Sequence, residues 1–499
     1  MNNVENKQKP IRKLDAPTKL ARRQGEKSQS NIYRTLFMQD RDRVLYSAPF
    51  RLLAGKTQVY ITGIDDNMRT RLTHTLEVAQ IAKTISASLK LDVELTEAIA
   101  LAHDIGHTPY GHAGERELHE ILNPKAKHAI ENCSLDIKAS DEEYMINNYS
   151  SELGFKHNLH GVEVAIREAE ITKGQSLSLT NYTLYGIGHH SSCKYKADGV
   201  QAEKKVGYYN KYAKYCLVGS NPAWSFEAFV VAQADEIAQR HHDLEDAVRG
   251  QLLSHEYVYN QIDRCFSRYF MSRDRQTMKM LKQAKENKDD AVFYAELSRL
   301  IVNMLVTRLI ICSIYNLNVL INEHRLNKLN FYKYVADHNG IKEQELIGFE
   351  KTSKEDGFEL ALKEFEDNIS SNVLAAFEIQ SADAKGAYII RKVAQALYSN
   401  PRQLPDESLM VYGEEIGLFD FKTAKEKMNK DGKGRVRKEV LQAIDRIKRS
   451  VEDCKSNKQM NVSKDEIIIN DIRLLRCVCN YIASQTDRSL QKLYQDFYG

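Results

Sequence analysis

The stretch HDIGHTPYGHAGE, residues 103–115, indicates both how this chain folds and where its chemistry lies. In the preceding residues 93–102, apolar side chains recur at helical spacing, which predicts a helix. Gly106 and Pro109 then end that helix, so the polar cluster falls at a helix end and in the turn after it. Because a neutral imidazole beside a carboxylate can bind a divalent metal, His103 and Asp104 are candidate ligands.

Two further polar residues are candidates to complete the site, because adjacent ligands cannot enclose a metal by themselves. His74 opens a predicted helix whose apolar stripe consists of Val78, Ile81, Ala82, Ile85 and Leu89. Asp235 follows an almost uninterrupted apolar run, and a buried carboxylate without a partner is costly. The alternative interpretation is a set of unrelated polar residues, each satisfied by its own hydrogen bonds.

The order of these residues resembles the ligand order of the HD metal-dependent phosphohydrolases: a histidine, a His-Asp pair and a distant aspartate. Further motifs are similar to those of the dGTP triphosphohydrolase branch. They are SAPFR at 47–51, GKTQV at 55–59, RTRLTH at 69–74, KKVGYY at 204–209, DLEDAV at 243–248 and NYIASQTD at 480–487. The matches run from about residue 40 to near the C-terminus, so the resemblance spans most of the chain.

The resemblance implies a metal site formed by His74, His103, Asp104 and Asp235. Nitrogen and oxygen ligands with open positions suit Mn²⁺ or Mg²⁺, with Fe²⁺ and Co²⁺ as alternatives. The pair of proton-handling residues implied by the family corresponds to His112 and Glu115. Their spacing would let Glu115 orient and stabilise a charged imidazole, although Glu115 would also favour a helix N-terminus near Ala113.

A triphosphate carries several negative charges, so its pocket needs cations and hydrogen-bond donors. The residues implied to contact substrate are Arg71, His107, Lys205, Tyr209, His189 and Asp243. Asp243 would accept a hydrogen bond from the sugar 3′-hydroxyl. Two positions depart from the better-known relatives, because Gln239 stands where a tyrosine is common and Ala54 where a glutamine is. These changes predict weaker selection among nucleotides.

The fold expected from helical periodicity and from the resemblance is all-α, with an HD-domain helical core and an additional C-terminal helical region. We expect a flexible basic segment at 1–30 and the HD phosphohydrolase core at 31–265. Residues 266–499 would form a helical region that completes the nucleotide pocket and the oligomer interface.

Composition restricts the cellular setting. The chain has 499 residues, a net charge of +3 and eight cysteines without a CxxC pair, which favours reduced thiols over a disulfide framework. No signal-peptide pattern opens the sequence, and polar residues interrupt the most apolar stretch, 300–321. These features predict a cytoplasmic protein without a membrane span.

The resulting hypothesis is metal-dependent hydrolysis of deoxynucleoside triphosphates, with dGTP first, to a deoxynucleoside and inorganic triphosphate. Another HD-type nucleotide phosphohydrolase activity is the alternative. A regulator that binds nucleotide or nucleic acid, with secondary catalysis, is a second one, for which the basic N-terminus and the lysine-rich stretch 422–458 would supply charge. The resemblance further implies a homo-oligomer, often a hexamer, modulated by nucleotide or single-stranded DNA.

Overall fold

The computed structural model describes most of the chain. The described residues are 33–57, 69–123, 130–131, 133–135, 148–172, 176–191, 194–195, 204–205, 211–212, 214–218, 221–324, 346–349, 357–431, 433–456 and 463–499. Most of them are helical, so the predicted all-α class is confirmed. The predicted basic segment 1–30 lies outside this part of the chain.

The helices are numbered in chain order. They are α1 Leu36–Tyr46, α2 Ala48–Leu52, α3 Arg71–Leu89, α4 Val93–Ala102, α5 Gly111–Ile121, α6 His157–Ile171, α7 Asn181–His189, α8 Phe226–Arg249, α9 His255–Phe266, α10 Ser272–Asn287, α11 Asp290–Glu323, α12 Phe358–Leu374, α13 Phe377–Ser399, α14 Asp406–Glu415, α15 Phe421–Asp431, α16 Lys433–Lys455, α17 Lys464–Ala483 and α18 Asp487–Tyr498. Short 3₁₀ helices occupy Leu53–Gly55, Ser150–Glu152, Lys214–Cys216, Ser267–Tyr269 and Pro401–Gln403. Two antiparallel pairs of two-residue strands accompany them, β1 Lys194–Tyr195 with β2 Lys204–Lys205 and β3 Leu217–Val218 with β4 Asn221–Pro222.

The helices α3 and α4 carry the first half of the site and follow their sequence signals closely. Thr70 caps α3 by accepting a hydrogen bond from the Thr73 amide, and the predicted apolar stripe of α3 is buried. Asp92 caps α4 by accepting from the amides of Glu94 and Leu95. The predicted helix 93–102 matches α4 at both ends.

Two apolar cores meet beside the HD turn, residues 103–110. The larger core joins α1 to α4 with α6 to α12. The smaller one joins α5 and the segment after it to α13, α14, α16, α17 and α18. Because α5 belongs to the smaller core while α9 to α12 belong to the larger, neither core ends at the predicted boundary 265/266, which stays a prediction.

The HD turn depends on close backbone approach. A Cβ atom on Gly106 would collide with the backbone of Gly161 and His157 in α6. Tyr110 and Gly111 both adopt left-handed backbone angles, with φ of 57° and 56°, and thereby reverse the chain into α5. The glycines of the motif therefore let α6 pack directly against the turn.

The helix α11 is long and apolar enough to span a membrane by length and composition, but 56% of its most apolar window is buried inside the protein. It packs against α3, α8 and α10 and contributes apolar side chains to the larger core. Within the lysine-rich stretch 422–458, the described residues are almost all helical, in α15 and α16.

We expect Glu227→Gln to stabilise the protein at alkaline pH. Glu227 is fully buried, and only one of its carboxyl oxygens accepts a hydrogen bond from the described residues, from the Asp92 amide at 2.8 Å. Burial raises the pKa of Glu227 to about 7, so above that pH the folded protein holds a buried charge. The free energy of unfolding of the variant should exceed that of the wild type by an amount that grows as the pH rises from the unfolded to the folded pKa of Glu227. This difference should approach roughly 3 kcal/mol.

Urea unfolding of both proteins at pH 5 and at pH 8 measures this effect. At pH 5, slightly above the unfolded pKa of about 4.3 and well below the folded one, the difference should fall to about 1 kcal/mol. A stability difference of the same size at both pH values would contradict the prediction.

Candidate metal centre and surrounding histidines

The four predicted metal ligands converge from three elements. His74 lies in the first turn of α3, His103 and Asp104 follow α4, and Asp235 lies in α8. His74 Nε2 is 2.9 Å from Asp235 Oδ1, and His103 Nε2 is 3.8 Å from the same oxygen and 3.7 Å from Asp104 Oδ1. Ligand atoms of His74, His103 and Asp104 all lie within 4.8 Å of one another, so these residues can hold a metal ion.

The ring orientation of His103 prepares it for a metal. Its Nδ1 is 2.7 Å from the Ala100 carbonyl, to which only an N–H can donate, so the neutral ring keeps a lone pair on Nε2. That Nε2 is buried and has no hydrogen-bond partner among the described residues. With the proton on Nδ1, this buried Nε2 faces two carboxylates as an acceptor, an arrangement that suits a divalent cation.

His74 is oriented by a relay of two more residues, Glu77 and His242. The Glu77 carboxylate can only accept, so His242 donates to it through Nε2–H and exposes an unprotonated Nδ1. Burial lowers the pKa of His242 to about 4, which keeps that ring neutral. His74 Nδ1, 3.3 Å from His242 Nδ1, can then be the donor, which would leave the lone pair of His74 Nε2 for a metal that replaces its hydrogen bond to Asp235 Oδ1, 2.9 Å away.

Arg71 holds the other ligand carboxylate. Its guanidinium Nη1 donates to Asp104 Oδ2 at 2.8 Å, and both side chains are buried. Burial alone would raise the pKa of Asp104, but Arg71 and the surrounding imidazoles hold it well below its ordinary value. Arg71 therefore contacts a metal ligand, whereas the sequence predicted a contact with substrate phosphates, which stays a prediction.

Glu115 has a different neighbour from the one that its spacing suggested. Its carboxylate accepts hydrogen bonds from the His157 backbone amide, from His157 Nδ1 and from Lys156 Nζ. Burial opposes ionisation, but His157 and Lys156 hold the pKa of Glu115 well below its ordinary value. Glu115 acts on His112 through its charge, which raises the pKa of that imidazole.

The remaining histidines of the HD run line the same recess. The rings of His107 and His112 are 5.6 Å apart, and His107 stacks on His157 at 4.4 Å. His112 is accessible to solvent from one side, while its packed surroundings and the charge of Arg71 lower its pKa to about 4. Both effects also lower the pKa of His107, so the two imidazoles are neutral at pH 7.

Of the two adjacent histidines at the end of α7, His190 and not the predicted His189 lies next to the metal residues. The ring of His190 is 5.0 Å from that of His103, whereas His189 stacks on Tyr185 and lies 2.9 Å from the Tyr185 carbonyl. His190 ends its helix as His103 does, with Nδ1 donating to the carbonyl three residues earlier, here Ile187 at 2.8 Å. This shared helix-end pattern is the sequence signal that could have selected His190.

The C-terminal motif 480–487 forms hydrogen bonds with residues 56–57 and with the HD turn. Lys56 Nζ donates to the carbonyls of His107 and Ala483, the latter at 2.8 Å. Asp487 accepts from Thr57 and from the Tyr110 amide, which lies 3.0 Å away. These contacts join the C-terminal region to the HD turn, while its predicted role in completing the nucleotide pocket and the oligomer interface stays a prediction.

The residues predicted to contact the nucleotide are only partly described. Asp243 lies two turns after Asp235 in α8, and its Oδ1 is buried with no hydrogen-bond partner in the described chain. Burial and the nearby Asp246 raise the pKa of Asp243 to about 7. Tyr209 and the side chain of Lys205 lie outside the described residues.

Comparison with known proteins agrees with this geometry. Residues 71–148 match the HD domain family model. A deoxyguanosinetriphosphate triphosphohydrolase-like protein of Bordetella pertussis is 30% identical over 376 residues, which cover 75% of this chain and 82% of the relative. The chain belongs to this deoxyguanosinetriphosphate triphosphohydrolase-like family of HD-domain proteins.

Two relatives with the same description match a shorter region. The protein from Rhizobium meliloti is 37% identical over 233 residues, and that from Clostridium tetani is 39% identical over 227. Each match covers 46% of this chain, and the chain spans about half the length of these relatives. The family resemblance inferred from sequence is thereby confirmed.

We expect His242→Phe to weaken metal binding without unfolding the protein. The phenyl ring keeps the bulk of His242 but leaves the Nδ1–H of His74 without an acceptor, so His74 loses its fixed tautomer. Loss of such an outer-sphere contact typically raises the dissociation constant of the metal about 10- to 100-fold.

Titration of the metal-free protein with Mn²⁺ by calorimetry measures the change. His241→Phe is the matched control, because His241 is adjacent but its Nε2 lies 2.8 Å from Ser298 and not next to His74. Unchanged Mn²⁺ affinity in His242→Phe would show that Glu77 and His242 do not orient His74.

Proposed function

We propose that this protein is a metal-dependent hydrolase of deoxynucleoside triphosphates, with dGTP as first substrate, that releases the deoxynucleoside and inorganic triphosphate. The observation that carries the proposal is the buried, unpartnered Nε2 of His103 facing Asp104 and Asp235 beside His74. The printed names of the relatives support the choice of substrate. A bound divalent ion at this position would polarise a phosphoryl oxygen and lower the pKa of a bound water.

The side chains around that position have separate tasks. His74, His103, Asp104 and Asp235 would hold the ion, and Arg71 keeps Asp104 ionised and aimed. His112, neutral and accessible to solvent, can accept a proton during the reaction. A phosphate chain in the recess would favour the protonated form of His112, which could then return the proton to the leaving 5′-oxygen.

The nucleotide side of the proposal rests on Asp243. A buried carboxylate oxygen without a donor is costly, and a sugar 3′-hydroxyl would supply the missing hydrogen bond. His107, Lys205, Tyr209 and His189 remain proposed contacts of the phosphates or the base. The same proposal includes Mn²⁺ or Mg²⁺ as the native metal and a cytoplasmic location. It also includes a homo-oligomeric assembly and modulation by nucleotide or single-stranded DNA.

A product assay with Asp235→Ala tests the proposed reaction. Wild-type protein with Mn²⁺ or Mg²⁺ and each common deoxynucleoside or ribonucleoside triphosphate should release nucleoside and inorganic triphosphate in equal amounts, separated by ion exchange. Asp235→Ala should abolish this release, because the carboxylate shared by His74 and His103 is gone. The side chain of Asp235 is 20% exposed, so its loss should leave the fold intact.

Glu236→Gln is the matched control, because Glu236 is the next residue of α8 but is exposed to solvent, and it should retain activity. A product mixture of nucleoside monophosphate and pyrophosphate would contradict the proposed bond cleavage. Tight binding of nucleotide or DNA without turnover would favour the regulator instead.

A cycle of variant and substrate tests Asp243. Removing the 3′-hydroxyl of the substrate should lower kcat/KM of the wild type by about 5- to 150-fold, since the carboxylate is left without its donor. In Asp243→Ala the same change of substrate should have little further effect, because the acceptor is already absent. Equal losses in both proteins would mean that Asp243 does not contact the 3′-hydroxyl.

A further inference from the structure

Two more imidazoles, those of His157 and His190, lie beside Asp104. His157 begins α6 and His190 follows α7, and both are 5% exposed. The Nδ1–H of His157 donates to Glu115, and that of His190 donates to the Ile187 carbonyl. In their neutral forms, both rings therefore carry the lone pair on Nε2, as His103 and His74 do.

The distance between these lone pairs is informative. His157 Nε2 and His190 Nε2 are 3.1 Å apart, and neither has a proton to share when both rings are neutral. Two nitrogens bound to one cation at right angles, with bonds of about 2.1 Å, would be about 3.0 Å apart. Ligand atoms of Asp104, His157 and His190 lie within 4.8 Å of one another, as do those of His74, His103 and Asp104.

We propose that Asp104, His157 and His190 bind a second divalent cation beside the first, so that Asp104 is shared by a two-metal centre. Imidazole and carboxylate ligands suit Mn²⁺, Fe²⁺ or Co²⁺. Two such ions bring four positive charges to a site with two aspartates and Arg71, so the second ion binds more weakly than the first. The inference needs only the metal ligands and does not depend on the proposed reaction.

A third group of residues, Glu77, His241 and His242, also lies within metal-binding distance but does not compete. A cation on His242 Nε2 would move the His242 proton to Nδ1. His74 Nδ1 would then accept a hydrogen bond from His242. The proton of the neutral His74 ring would therefore lie on Nε2, which would no longer have a lone pair for the first metal. Binding there would therefore disable the first site, which is why the second cation is assigned to His157 and His190.

Metal stoichiometry of the full chain tests the proposal. The metal-free wild type titrated with Mn²⁺ should bind two ions per chain by calorimetry and elemental analysis of the dialysed protein. At full loading, electron paramagnetic resonance should show an exchange-coupled Mn²⁺ pair. This last measurement uses the wild type and does not require any variant to fold.

His190→Ala should bind one ion per chain, without exchange coupling and with the first dissociation constant essentially unchanged. The matched control is His189→Ala, which removes the adjacent imidazole that stacks on Tyr185 and should still bind two ions. One ion per chain in saturated wild type, or two coupled ions in His190→Ala, would overturn the proposal. In the first case a proton shared between His157 and His190 would account for their distance.

Discussion

The buried ion pair between Arg71 and Asp104 is the interaction on which the site depends. Both side chains are almost fully buried, at 2% and 3% exposure of the residue, and their contact is 2.8 Å. Arg71 is also the first residue of α3, and its amide donates to the Lys56 carbonyl. One residue therefore joins residues 56–57, α3 and the HD turn. Removing one partner of such a pair leaves an uncompensated buried charge and costs about 3–5 kcal/mol.

A second constraint concerns the imidazole protons. Burial favours neutral rings, and a neutral ring has only one N–H, so whatever accepts that proton decides where the lone pair points. In His103 and His190 the acceptor is a free carbonyl in the last turn of a helix, in His157 it is Glu115, and in His74 it is another imidazole. Three kinds of acceptor, serving four histidines, give the same result, with Nε2 directed inward.

The two apolar cores explain how so many polar groups remain fixed. The HD turn packs with Ile105 in the larger core and with Tyr110 against the smaller one, so neither end of the turn is free to move. Asp487, at the start of the last helix, accepts hydrogen bonds from Thr57 and Tyr110 and so connects α18 with the HD turn. Among the described residues, the C-terminal helices contact the site through these hydrogen bonds, and the groups within metal-binding distance contain none of their residues.

The sequence by itself determined the all-α class, the helix before the HD turn and the four residues His74, His103, Asp104 and Asp235. The class and the helix follow from local periodicity and helix caps, whereas the four residues, including the distant Asp235, are predicted from the resemblance of their order to that of the HD phosphohydrolases. Only the tertiary structure decided that His157 and His190 face Asp104, that Glu115 pairs with His157, and that Glu77 and His242 orient His74. Those contacts join segments from 33 to 168 residues apart, and the direction of each ring depends on which acceptor the packed helices place beside its Nδ1. Apart from the helix-end carbonyls that accept from His103 and His190, no local pattern contains that information.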